Sequence, residues 1–153
     1  MSVSTGNSRG FTLIELLVVT ALLGLLATLG LLKYTDLRYN AKAAAVAGDL
    51  RAITVAAYNH LADNGNWAAE TGAGVAPPEL VPYLPAIQFD GPDYTLDWDN
   101  LGLGGTNFLV GVTVTTPDAR FVSKLQRYLG SKSPFFVAGS SLTYIIVDAS
   151  GNY

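Results

Sequence analysis

Between Phe11 and Leu32 the chain carries 22 residues with a single ionisable side chain, Glu15. At about 1.5 Å rise per residue, such a run makes roughly 33 Å of helix, matching a bilayer hydrocarbon core of about 30 Å. The apolar region of a secretory signal usually spans only about 7–15 residues. No small-x-small cleavage site follows Leu32, where the sequence continues with Lys33, Tyr34, Asp36 and Arg38. The span is therefore expected to be kept as a membrane helix. The preceding segment, Met1 to Gly10, is short and polar, with Arg9 as its one basic side chain. Together with the initiating amine, Arg9 places that segment in the cytoplasm and residues beyond 33 outside.

The acid inside this span is the informative residue. A carboxylate in a membrane helix is costly, rare and usually functional. Gly10, directly before Phe11, offers a cleavage point that would free a new amino terminus close to Glu15. Two opposite charges would then sit at one end of an apolar helix, available to each other or to a neighbouring copy. An acid near a helix end that merely reaches the headgroups is the plainer reading, and the adjoining glycine argues against it.

The run Gly10-Phe11-Thr12-Leu13-Ile14-Glu15-Leu16-Leu17-Val18-Val19 resembles the amino-terminal signature of type IV pilins and of the pseudopilins of type II secretion. The likeness continues through Ala21, Gly24, Leu25, Leu26 and Ala27, and Tyr34 falls where the family commonly has a tyrosine. The resemblance implies cleavage after Gly10 by a prepilin peptidase, methylation of the Phe11 amine, and use of Glu15 in filament assembly. It also implies an inner-membrane assembly platform, other pilins as polymer partners, and an assembly ATPase as the energy source. Two departures stand out. Leu32 occupies a position where many members have a helix-bending proline, and a chain without cysteine cannot close the carboxy-terminal disulfide that many members carry.

Composition narrows the remaining classes. The 153 residues allow one small globular unit besides the helix. Net charge is −3, and loss of Arg9 with the leader would leave 8 basic side chains against 12 acidic ones. No basic patch with interleaved aromatics is present, so direct nucleic-acid binding is not expected. The absence of cysteine excludes thiol catalysis and cysteine-ligated metals.

The helix is expected to continue past the membrane to about Ala62. No proline interrupts it, and Val46, Leu50, Ile53, Ala57 and Leu61 recur at steps of four, three, four and four, with Tyr39 and Ala43 extending the stripe backwards. Asp63-Asn64-Gly65-Asn66 has the chemistry of a turn. An irregular stretch follows, with one helical turn near Pro78–Leu84 docking Leu80, Tyr83 and Leu84. Strands are expected over Asp93–Trp98 and Phe108–Thr115, joined by a glycine-rich connection at Leu101–Gly105. A helix should open with Thr116 as N-cap and Pro117 at its first position, and bury Phe121, Leu125, Tyr128 and Leu129. Phe135–Val137 and Leu142–Val147 read as a hairpin through Gly139-Ser140-Ser141. The expected fold is α+β: a long N-terminal helix packed on a small antiparallel sheet. Its parts are a leader (1–10), a membrane or filament-core helix (11–32), an amphipathic half (33–62), a connecting region (63–92) and a sheet head with one surface helix (93–153).

Other constellations are weaker. His60 is the sole histidine, too isolated for a triad or a zinc site, and is expected to pack or to favour the helix dipole. Asp90, Asp93, Asp97, Asp99 and Asn100 are rich in oxygen, but calcium needs six to eight converging ligands. Solvated strand positions are the better reading, with Asp93 and Asp97 opposite Tyr94, Leu96 and Trp98. Asp148 and the residues after it read as a frayed end. Trp98 is expected in the core, and Trp67 is open to either packing or binding. The run Gly102-Leu103-Gly104-Gly105 lacks the lysine and helix of a phosphate cradle. No catalytic set, cofactor or metal is expected. The sequence thus points to a structural filament subunit, with two alternatives: a single-span sensor or binding protein using the same anchor, or a minor pilin of a DNA-uptake machine.

Overall fold

The computed structural model describes residues 11–104, 107–131 and 133–148. It divides into two compact units, one up to Arg38 and one from Tyr39 onward. Helix α1, Leu13–Asn64, contributes to both.

In the first unit α1 leaves every large apolar side chain exposed, from Phe11 through Leu37. It is the one helix among the described residues long and apolar enough to cross a membrane. Its threonine hydroxyls do not stand open. Thr20 donates to the carbonyls of Leu16 (3.0 Å) and Leu17 (2.9 Å), Thr28 to that of Gly24 (2.9 Å) and Thr35 to that of Leu32 (2.9 Å). Backbone groups are bonded within the helix, so little unpaired polarity would meet lipid.

In the second unit, the head, α1 buries Ala43, Val46, Ala47, Leu50, Ile53, Ala56, Ala57 and His60. The expected stripe holds to Ala57 but closes on His60, while Leu61 stays half-exposed. Helix α1 ends two residues later than expected. Gly65 takes φ +75° and donates its N–H to the Leu61 carbonyl at 2.8 Å, a left-handed cap that other residues enter only with strain.

The sheet comprises β1 (Thr95–Gly104), β2 (Asn107–Thr115), β3 (Phe135–Ala138) and β4 (Ser141–Val147), all antiparallel in the order β1-β2-β4-β3. Its inner face supplies Leu96, Trp98, Val112, Val114 and Leu142 to the core shared with α1. Helix α2, Ala119–Leu129, adds Phe121, Val122, Leu125 and Leu129.

Three expectations fail locally. Leu101–Gly104 is not a connection: the β1 ladder continues, with Leu101 opposite Leu109 and Gly102 opposite Phe108, and is irregular only between Gly102 and Gly104. Glycine weakens a strand, but pairing with the β-prone β2 carries it through. Gly105 lies outside the described residues. Secondly, α2 is capped by Asp118, not Thr116, because the Asp118 carboxylate accepts the Arg120 N–H at 2.9 Å. Pro117 therefore precedes the helix, and the Thr116 hydroxyl donates to the Asp93 carbonyl at 3.0 Å while accepting the Asp118 N–H at 3.3 Å. Thirdly, the apolar face of α2 takes Val122 in place of Tyr128, which is exposed.

The segment between α1 and β1 is anchored rather than loose. Ala68, Leu80 and Phe89 are buried, and the Ala68 carbonyl accepts from Trp98 Nε1 (3.2 Å) and Asn100 Nδ2 (2.8 Å). Its one helical turn is a 3-10 turn at Val81–Tyr83. Leu80 packs fully, Leu84 partly, and the Tyr83 hydroxyl donates to Asp63 at 2.8 Å.

Candidate assembly site

The first residues of α1 are organised by Glu15 itself. Thr12 precedes the helix, and its carbonyl accepts the first helical bond, from Leu16 N–H at 3.2 Å. The Glu15 carboxylate reaches back to accept the Thr12 N–H at 2.9 Å and the Thr12 hydroxyl at 2.8 Å, while the Glu15 N–H lies 3.3 Å from the Thr12 oxygen. This reciprocal arrangement is a capping box, which satisfies donors that a helix start otherwise leaves open. The spacing Thr-x-x-Glu before an apolar run signals it in the sequence, yet reading Glu15 only as a membrane acid passes over it. The carboxylate is thus held within its own chain, at the positive end of the helix dipole. Ile14, Val18 and Val19 form the apolar surround of Phe11 and Glu15. Gly10, the expected cleavage position, lies outside the described residues, as does the rest of the leader.

With this geometry in place, one comparison is informative. Residues 5–31 match the prokaryotic N-terminal methylation motif, the signal of type IV pilins and pseudopilins. No curated protein and no solved structure matches the chain. The motif gives the chain the kind of signal on which a prepilin peptidase acts, and the apolar part of α1 supports membrane anchoring. The head agrees in class, with a long helix on a four-stranded antiparallel sheet.

The other sequence candidates do not gather at one place. Asp93 lies ahead of β1 and pairs with Lys42 of α1, so it is not a solvated strand position. Asp99 accepts from the Thr113 hydroxyl at 2.5 Å. Burial, then Asp99 and Glu70, push the Asp97 carboxyl above its usual range. Among the described residues no three His, Asp or Glu side chains converge on a metal position. Trp98 is fully buried, and Trp67 packs edge-on against Tyr58 with centroids 5.3 Å apart.

Proposed function

We propose that this chain is a structural subunit of a type IV pilus or a type II secretion pseudopilus, and not an enzyme. In this reading the peptidase cuts after Gly10, the new Phe11 amine is methylated, and the protein waits in the inner membrane with its head outside. Extraction, driven by an assembly ATPase through a membrane platform, then bundles the apolar halves of α1 into the core of a filament.

The single observation carrying this reading is the acid of the methylation motif in a span, Phe11 to Leu32, that has no other ionisable side chain and exposes its large apolar ones. Glu15 would exchange its bond with Thr12 for the ammonium of a neighbouring subunit. Inside a filament core the dielectric is low, so a carboxylate and a neighbour's ammonium attract strongly and each relieves part of the other's desolvation. That pairing would set the axial register between subunits.

Intact mass of the protein from its native membrane tests the processing: loss of residues 1–10 plus one methyl is expected. Glu15→Ala, with wild-type protein absent, should stay membrane-inserted and fail to polymerise. An unprocessed chain, or normal filaments from that variant, would refute the reading.

A further inference from the structure

His60 is nine-tenths buried in the last turns of α1, and its Nε2 has no hydrogen-bond partner. The geometry fixes its tautomer. Asn64 Nδ2 donates to the His60 carbonyl at 3.0 Å, which orients the amide, and the same nitrogen lies 3.1 Å from His60 Nδ1. Nδ1 must therefore accept, and the proton of the neutral ring sits on Nε2. That N–H faces Glu79 Oε2 at 3.9 Å, too far for a hydrogen bond. A buried donor left unpaired costs about 1–3 kcal/mol, so the arrangement calls for an explanation.

We infer that His60 and Glu79 form a proton-operated clasp, which closes the segment between α1 and β1 onto the last turns of α1 when the imidazole takes up a second proton. A cationic ring would meet the following partners. Glu79 faces Nε2 from the connecting segment, and the Tyr83 ring stands edge-on at 5.9 Å with its hydroxyl bound to Asp63. One carboxylate, that of Glu79, thus lies beside the ring, which sits at the negative end of the helix dipole. Opposing the cation are burial and Asn64, whose amide must turn to offer its oxygen to the newly protonated Nδ1.

Closure has a lever to act on. Glu79 Oε2 already accepts the Ala69 N–H at 2.7 Å, so drawing this carboxylate toward Nε2 also draws in the backbone at Ala69. Histidine is the side chain whose ordinary titration falls between pH 5 and 8, which sets the range over which the clasp is tested. None of this depends on assembly.

The chain has one histidine, so its ring gives one unambiguous NMR signal. The full-length protein in detergent micelles is titrated from pH 4 to 9, beside Glu79→Gln. The clasp predicts that Glu79→Gln lowers the His60 midpoint by about half a pH unit or more. It also predicts that the Ala69 amide and Tyr83 ring signals of the wild type shift at that same midpoint. An unchanged midpoint, a ring that does not titrate in this range, or a titration that Ala69 and Tyr83 ignore would each overturn it.

Discussion

The two halves of α1 share a backbone conformation and almost nothing else. From Phe11 to Leu37 the large apolar side chains are exposed on every side of the helix. From Ala43 to His60 the same helix hides one stripe and leaves Ala45, Arg51, Val55 and Asn59 outside. A helix apolar all round needs an apolar solvent, whereas a striped one needs a partner surface. Helix propensity does not distinguish the halves; the distribution of side chains around the axis does. Polar groups follow the same division. In the first half Thr20, Thr28 and Thr35 satisfy themselves on the preceding turn, while in the second Tyr39 and Lys42 reach other elements, Asp118 at 2.5 Å and Asp93.

One substitution made twice tests this contrast most strongly. Leu50 is fully buried and Leu25 is 62% exposed. Leu50→Ala should lower the unfolding free energy of the head by about 2–5 kcal/mol, the usual range for a leucine lost from a packed core. Leu25→Ala should leave head unfolding unchanged in detergent. Chemical denaturation followed by Trp98 fluorescence reads both. Equal effects at the two positions would mean that the halves are not energetically separate.

Glycine gives the same comparison at smaller amplitude. Gly111 sits where β2 shifts register against β4, and an added Cβ would lie 2.8 Å from the Tyr144 carbonyl oxygen. Backbone cannot yield cheaply there, so Gly111→Ala should cost the head about 1–3 kcal/mol. Gly24 has open space around it, and alanine there should favour the helix by about 1 kcal/mol without touching the head. Thermal unfolding of the two variants against wild type checks the sign of each.

What the sequence shows of this molecule depends on how local the deciding interaction is. The motif from Gly10 to Glu15 is contiguous, and so the positions proposed for processing and assembly are readable without a fold. The stripe from Ala43 to Ala57 repeats at the helical period and is equally plain. Long-range choices are not. Nothing near Asp93 announces Lys42, 51 residues earlier, as its partner. Whether Gly102 and Gly104 end a strand or continue it is settled by the strand opposite. The choice between Thr116 and Asp118 as cap turns on where the helical turn begins, since each oxygen takes the N–H two residues on and either residue type would serve. His60 is the clearest case: its solitude in the sequence argues against chemistry, and only the fold adds Glu79 and Tyr83 to its helical neighbour Asn64.

The smallest effect separates the halves by pH, because the titrating contacts named here belong to the head. The Arg120 guanidinium, then the Tyr39 hydroxyl and the Arg120 N–H, hold the Asp118 carboxyl well below the usual carboxylate range. The same contact, together with partial burial, raises the Tyr39 phenol. A carboxyl with a lowered value stabilises the fold above its unfolded value of about 4, and that contribution is lost as pH falls through the lower folded value. A raised phenol stabilises below about pH 10 and loses its contribution as pH climbs through the raised value. Asp49 and Asp97, raised mainly by burial, act against Asp118, since protonation relieves them as pH falls. Asp118→Asn keeps a competent helix cap while removing the charge. The stability gap between wild type and Asp118→Asn should therefore be widest from pH 5 to 8 and shrink steadily below pH 4, as unfolding at pH 7, 4 and 2.5 would show. A gap that stays constant down to pH 2.5 would mean that Asp118 acts through packing and capping alone, and that its charge does not help fix Tyr39 to the head.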